Sequence, residues 1–184
     1  MVNQLLGVTL SVALLSPAVD PAASPSPGDR ELPAIAREAQ HEITLLPHYS
    51  LFDWIEFDAQ PDGTVTLRGQ VVGLTLRADA EEAIKRIAGV SAVINQIEPL
   101  PESAGDQRIR RDAYRAVYAE DGPLFHYALE IVPTIHIIVS DGRVTLRGTV
   151  ANVADRSIAA KRAQSVAGVV EVRNELSIEA GMTS

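Results

Sequence analysis

The sequence contains no cysteine, which excludes disulfide bonds, thiolate metal sites, cysteine nucleophiles and a lipid-anchored N-terminal cysteine. Aromatic residues make up only 4% of the chain, so a core must be built mainly from valine, isoleucine, leucine and alanine. Basic residues number 16 against 24 acidic ones, a net charge of −8. Because binding to phosphate chains draws most of its affinity from cationic side chains, this deficit argues against a nucleic-acid partner.

One stretch of the sequence occurs twice, as Gly63–Gly69 (GTVTLRG) and again as Gly142–Gly148 (GRVTLRG). A shift of 79 positions aligns residues 62–97 with 141–176 without a gap, and 15 of the 36 positions are identical. Two copies are too few for a solenoid, which needs about three or more repeats. We therefore expect two compact domains, at residues 32–101 and 104–179.

The N-terminus has the pattern of a secretory signal peptide. Residues 5–15 are charge-free and mostly apolar, and a small-residue Ser-Pro-Ala sequence and a stretch rich in proline, alanine and serine follow up to residue 28. The apolar run is too short to span a bilayer. No lysine or arginine precedes it, which leaves a disordered or locally packed N-terminus as the alternative. We predict that residues 1–28 are a signal peptide and leader, and that the mature chain is exported without a transmembrane segment.

Hydrophobic periodicity predicts the same order of elements in both units. For the first unit it predicts a helix from Pro33 to Pro47, strands Leu51–Ala59 and Thr64–Val71, a helix Ala78–Ala88 and a strand Val90–Ile97. For the second it predicts a helix Asp106–Tyr118, strands Thr134–Val139 and Arg143–Val150, a helix Arg156–Ala167 capped by Asp155, and a strand Val169–Ile178. The predicted fold class is α+β, with two tandem αββαβ units, each a small mixed sheet with two helices on one face.

The repeated pattern D-G-x-V-T-L-R-G-x-V, followed by a helix and then A-G-V-x-x-V-x-N-x-[IL], resembles the BON domain of bacterial osmotically inducible and nodulation-type proteins. The resemblance covers about residues 34–99 and 106–178. It implies an αββαβ fold, an envelope or periplasmic location, a role in binding phospholipid or envelope surfaces, and no cofactor. The absence of a cysteine for lipid attachment leads us to expect a soluble exported form.

The sequence gives no support for catalysis or for a metal site. The four histidines, His41, His48, His126 and His136, do not fall at metal-ligand spacings with acidic residues. The sequence has no nucleophile elbow, glycine-rich phosphate loop or acid-base carboxylate pair. It therefore shows no activated nucleophile of the kind that a hydrolase needs. We expect a protein that is not an enzyme.

The first candidate site is a row of arginines on the leading helix of the second unit. Arg108, Arg111 and Arg115 are spaced i, i+3, i+7 and project along one helix face. This unit has 11 acidic and 10 basic residues, whereas residues 29–101 have 12 and 6. The row could contact anionic lipid headgroups. For these three arginines and for Arg110, the alternative is a solvated helix face, balanced by Asp106 and Asp112.

The second candidate site is the outer sheet face, where Trp54, Arg68 and Arg147 are predicted to point away from the helices. It could dock another protein. For the arginines the alternative is pairing with Glu56 or a helix acid, and for Trp54 it is partial burial against the other unit.

Two functional hypotheses follow. The first is a non-enzymatic envelope protein that associates peripherally with anionic phospholipid and takes part in envelope or osmotic stress protection. The alternative is a protein-interaction or stress-protective scaffold in the periplasm that does not bind lipid directly.

Overall fold

The computed structural model describes residues 27–130 and 133–179, which form a helix-strand-strand-helix-strand sequence twice. The first unit comprises α1 (Pro27–Thr44), β1 (Trp54–Ala59), β2 (Thr64–Val71), α2 (Leu74–Lys85) and β3 (Ala92–Pro99). The second comprises α3 (Ala104–Val117), a 3-10 turn (Phe125–Leu129), β4 (Ile135–Ser140), β5 (Arg143–Val150), α4 (Val153–Gln164), β6 (Glu171–Asn174) and β7 (Ser177–Ile178). The predicted α+β class is confirmed. The predicted signal peptide lies outside the described residues.

Each unit has a small mixed sheet with its central strand contributed by the repeated stretch. In the first sheet the order is β1-β2-β3, with β1 antiparallel and β3 parallel to β2. In the second, β4 is antiparallel to β5, and β6 and then β7 lie parallel to β5. The parallel pair requires a crossover, which α2 and α4 provide.

The two helices of each unit pack on the same face of its sheet, as predicted. The core of the first unit joins residues from both helices and from the central strand: Ile35, Ala39, Ile43, Val65, Leu67, Val71, Ala80, Ala83 and Ile84. The corresponding residues of the second unit are Ile109, Ala113, Val117, Val144, Leu146, Val150, Ala159 and Ala163. Burial of these aliphatic stripes is the main source of stability for each unit.

The helices begin earlier than the sequence pattern indicated, and one predicted cap is wrong. α1 begins at Pro27 and α2 at Leu74, ahead of their apolar stripes. Asn152, not Asp155, caps α4, because the Asn152 side chain accepts a hydrogen bond from the Asp155 amide at 2.9 Å. The Asp155 carboxylate instead accepts a hydrogen bond from the Tyr127 hydroxyl at 2.8 Å.

The last predicted strand is interrupted. The side chain of Asn174 accepts a hydrogen bond from the amide of Leu176 at 3.3 Å, and residues 175 and 176 separate β6 from β7.

The first strand begins at Trp54, three residues later than predicted. Asp53 turns the chain before it, because its carboxylate accepts hydrogen bonds from the amide of Ser50 at 3.0 Å and the amide of Val72 at 2.7 Å. The carbonyl of Leu51 accepts a hydrogen bond from the amide of Ile137 at 2.7 Å. This segment of the first unit therefore lies beside β4 of the second unit, and Leu51 is buried in the second unit's core.

Candidate functional site

The structure places the three predicted lipid-binding arginines together on the exposed side of α3. Arg108, Arg111 and Arg115, hereafter the arginine row, are all exposed. Their helix is oriented by Ile109, Ala113 and Val117, which are buried on the opposite side. An amphipathic helix of this kind must present its polar face to solvent or to a partner.

The arginine row has one acidic neighbour in the described part of the chain. The Arg115 Nη1 atom lies 3.4 Å from Asp112 Oδ1, and the Arg115 side chain is 75% exposed. Such an exposed ion pair contributes little and is readily exchanged for another anion. Arg108 and Arg111 have no carboxylate within the 4.0 Å ion-pair distance among the described residues.

Aromatic side chains lie next to the arginine row. Tyr114, on α3, is 41% exposed. Phe52, from the segment that precedes β1, is half-buried. It lies with Arg111, Tyr114 and Arg115 around one cavity. Aromatic rings beside basic residues suit the boundary between lipid headgroups and acyl chains.

Arg110, on the same helix, is not part of this surface. The sequence indicated a solvated helix face that included it, but Arg110 is only 5% exposed. Its Nη2 atom donates a hydrogen bond to the carbonyl of Val139 at 2.8 Å, and its Nε atom has no partner. Burial lowers the pKa of its guanidinium group, an effect that the charges of Asp106 and Asp53 oppose.

The structure also brings Trp54, Arg68 and Arg147 together, at a cavity of about 660 Å³ on the outer sheet face. The guanidinium carbon of Arg147 lies 5.7 Å from the centroid of the Trp54 ring. We call this site the sheet cleft. It is formed by both units, since Trp54 and Arg68 belong to the first sheet and Arg147 to the second.

The arginines of the sheet cleft differ in their partners. Arg147 pairs with Glu56 at 3.4 Å and with Glu175 at 2.8 Å. Arg68 lies opposite Glu56 in the strand register, but its Nε atom donates to the Gln96 side chain at 3.2 Å. The expected pairing with Glu56 is therefore made by the arginine of the other unit.

Trp54 packs against the second unit through His136. The two ring centroids are 5.1 Å apart in an edge-to-face arrangement. The His136 Nδ1 atom donates a hydrogen bond to the carbonyl of Asp53 at 2.6 Å. Burial lowers the pKa of the His136 imidazole from its ordinary value. The sequence gave no support for a metal role of His136, and no local pattern indicated that it joins the units.

Two further repeated residues, an arginine and an asparagine, have a structural role. Arg77 donates to the carbonyl of Asn95 at 3.3 Å, and the Asn95 side chain donates to the carbonyl of Arg77 at 2.8 Å. Arg156 and Asn174 form the same pair of bonds in the second unit, at 3.3 and 2.8 Å. These bonds fix each crossover helix to the strand that follows it, which accounts for the repetition without a binding role.

The described residues contain neither a membrane-spanning helix nor a cluster of metal ligands. Within residues 27–130 and 133–179, no helix has both the length and the apolar character needed to cross a membrane. In the same ranges, no group of three or more histidine, aspartate or glutamate side chains is arranged to hold a metal ion.

The fold and its surfaces define a tandem pair of αββαβ domains with exposed arginines in each. The BON domain family model matches residues 55–100 and 128–180, which together are more than half of the chain. The chain therefore belongs to the BON-domain family. No curated protein matches it.

Two solved structures are similar to this chain, and both are of CdsD, a structural protein of the type III secretion system of Chlamydia trachomatis. The C-terminal domain of CdsD is 12% identical, with 77% of this chain and 96% of that chain covered and a TM-score of 0.29. The other structure is 11% identical, with 78% and 91% covered and the same TM-score of 0.29.

Proposed function

We propose that this protein is a non-enzymatic, exported envelope protein that associates peripherally with anionic phospholipid surfaces through the arginine row. The observation that supports this most is the grouping of three exposed guanidinium groups with the exposed ring of Tyr114 on one side of α3. The membership of the BON-domain family and the signal-peptide pattern of residues 1–28 support a location in the periplasm or cell envelope. A part in envelope or osmotic stress protection would follow from such a location.

Electrostatics gives the expected strength of this association. Each basic residue near an anionic membrane surface contributes about 1 kcal/mol, so the arginine row would contribute about 3 kcal/mol. That free energy corresponds to more than about a hundredfold in affinity. The attraction is screened by salt, and the overall charge of −8 opposes it at a distance. The association is therefore weak, local and reversible.

The test replaces Arg108, Arg111 and Arg115 together by glutamine and measures co-sedimentation with vesicles of phosphatidylcholine, with and without phosphatidylglycerol. We expect wild-type protein to bind only the anionic vesicles at low salt, and the triple variant to lose about a hundredfold in affinity. The fold should be retained, because none of the three side chains is buried.

A matched control carries the same change in charge on the first unit, with Arg37, Arg68 and Arg86 replaced by glutamine. All three are exposed. We expect this control to bind anionic vesicles nearly as well as the wild type. Equal losses in both triple variants would indicate a diffuse charge effect and would contradict a site on α3.

A second candidate function is that of a protein-interaction scaffold, and the sheet cleft favours it. A cavity that combines a tryptophan with arginines from both units offers the residue types that dominate protein–protein contacts. If the wild-type protein binds neither kind of vesicle, the scaffold function becomes better supported than the association with phospholipid.

A further inference from the structure

The floor of the sheet cleft is a grid of mainly polar side chains on the outer face of the first sheet. Two rows of three side chains, adjacent in the strand register, cross the sheet there and line the cleft: Trp54, Gln70 and Glu98, then Glu56, Arg68 and Gln96. Strands lie about 4.8 Å apart and alternate residues about 7 Å apart, so the grid measures roughly 10 Å by 7 Å. With its cavity of about 660 Å³, the cleft has the size of a small-molecule site.

Much of the hydrogen-bonding capacity of this grid is open to a ligand. Arg68 donates from its Nε atom to the side-chain oxygen of Gln96 at 3.2 Å. The two terminal nitrogens of Arg68 and the amide nitrogen of Gln96 have no partner among the described residues. The side chains of Gln70 and Glu98 make no hydrogen bond or ion pair within the same residues. Donors and acceptors therefore lie side by side on one surface.

The charges of the cleft cancel, which restricts what it can bind. Three arginines and two glutamates line it, and Glu175, which pairs with Arg147 at 2.8 Å, supplies a third carboxylate. A phosphate chain or an anionic headgroup would meet as many carboxylates as guanidinium groups, and a cation would meet the same balance. Since neither sign of charge is attracted, the cleft suits a ligand without net charge.

Carbohydrate has the chemistry that this grid complements. Each sugar hydroxyl donates one hydrogen bond and accepts others, so it needs donors and acceptors together. The side-chain amides of Gln70 and Gln96 offer both, while Arg68 donates and Glu98 accepts. The half-buried indole of Trp54 adds an apolar surface, against which the C–H groups of a pyranose ring can pack.

A protein partner suits this floor less well than a sugar does. The centre of a protein interface is depleted of charged residues, whereas charged and amide side chains fill the middle of the cleft. Trp54 and Arg147 are the residue types that dominate protein contacts, but they already contact each other, and Arg147 is paired with two glutamates. The cleft therefore favours a polyhydroxyl ligand over a protein.

We propose that the sheet cleft binds a neutral oligosaccharide, with hydroxyl groups bonded to Gln70, Gln96 and Glu98 and one sugar ring packed beside Trp54. None of the described residues that line the cleft belongs to α3, so the site shares no residue with the arginine row. It goes beyond the association with phospholipid and does not depend on it.

Trp54 is the single tryptophan of the chain, so its fluorescence reports on the cleft directly. The test titrates maltotetraose, cellotetraose and chitotetraose into the full chain and follows this fluorescence, with calorimetry as a second measurement. We expect binding of at least one of these neutral tetrasaccharides. Replacing Gln70 and Glu98 together by alanine should weaken that binding by about tenfold or more, because two hydrogen-bonding groups are lost.

A matched control replaces Gln164 and Glu120 by alanine, which removes the same residue types at exposed positions outside the cleft. It should bind the tetrasaccharide as the wild type does. Neither Gln70 nor Glu98 belongs to the core of the first unit, so the cleft variant should melt as the wild type does when followed by circular dichroism.

Salt and vesicle measurements separate this proposal from the proposed function. High salt should leave tetrasaccharide binding unchanged but weaken vesicle binding, because only the latter depends on charge. The triple glutamine variant of the arginine row should still bind the tetrasaccharide, and the cleft variant should still co-sediment with anionic vesicles. Wild-type protein that binds none of the tetrasaccharides, or a folded cleft variant that binds them unchanged, would overturn the proposal and leave the arginine-row test unaffected.

Discussion

At Gly69 and Gly148 two neighbouring strands approach more closely than a side chain allows. Both glycines have positive φ, 134° and 111°, and a Cβ atom on either would overlap the carbonyl oxygen of the opposite strand, at Trp54 or Thr134. These glycines close the repeated sequence T-L-R-G. The repetition of the glycine is therefore explained by backbone geometry and not by a ligand.

We expect Gly69→Ala and Gly148→Ala each to destabilise the protein by about 2 kcal/mol or more, because φ is unfavourable and the strand pair must separate. Thermal unfolding followed by circular dichroism measures the effect. Gly73→Ala is the control, since a Cβ atom there has its nearest contact at 3.9 Å. Glycine-to-alanine changes that all behave like Gly73→Ala would contradict the close approach.

At the scale of the elements, the period-2 pattern of the central strands determines which face is buried. Val65 and Val144 are both fully buried against the helices, at equivalent positions of the two repeats. The solvent-facing side of the same sheet carries Ile94, which is 48% exposed. A charge should thus be tolerated on one face only.

We expect Val65→Asp and Val144→Asp each to unfold its unit, since an unpaired buried carboxylate costs several kcal/mol and whole domains have only about 5 to 15 kcal/mol of stability. Ile94→Asp should unfold at nearly the wild-type temperature. Melting curves by circular dichroism check all three. Wild-type melting of both valine variants would mean that the strand faces are reversed.

The elements could be predicted because each has a local pattern, and what could not be predicted depends on distant contacts. The stripes of α1 and α3 and the alternation of β2 and β5 are readable from the sequence. The start of β1 at Trp54 depends on hydrogen bonds from Ser50 and Val72 to Asp53, which no local pattern encodes.

The candidate sites follow the same division. The exposed row on α3 could be predicted from spacing alone, because a helix converts spacing into a face. The burial of Arg110 could not, because it depends on the contact with Val139 across the unit. Nor could the meeting of Trp54 with Arg147, which requires the two units to be in contact.

At the scale of the whole molecule, a residue that precedes the first sheet belongs to the core of the second unit, and buried contacts join the two units. Leu51 precedes β1 of the first unit but is buried in the core of the second. The domain boundaries at residues 32–101 and 104–179 remain a prediction. A fragment that begins at residue 104 would lack Leu51, so the core of the second unit would be incomplete in it.

The buried imidazole of His136 should make this joint sensitive to pH. The His136 ring lies against Tyr49 and Trp54, and its Nδ1 atom donates a hydrogen bond to the backbone carbonyl of Asp53. The carboxylate of Asp53 is the charged group that acts on the imidazole. Burial lowers the pKa of His136 below 6.5 in the folded protein, whereas in the unfolded chain it is near 6.5. The unfolded state then binds the proton more tightly, so stability is complete above pH 6.5 and falls as the pH drops below it.

We expect the free energy of unfolding to fall between pH 7 and pH 5 by up to about 1.4 kcal/mol per pH unit, as one proton is taken up on unfolding. In His136→Asn, the amide can still donate to the carbonyl of Asp53 but does not titrate, so this part of the pH dependence should disappear. His41→Asn, at an exposed position on α1, should keep the wild-type dependence. Urea unfolding at a series of pH values measures the slopes. An unchanged slope in His136→Asn would show that His136 is not the group that titrates, and that the joint between the units is indifferent to its charge.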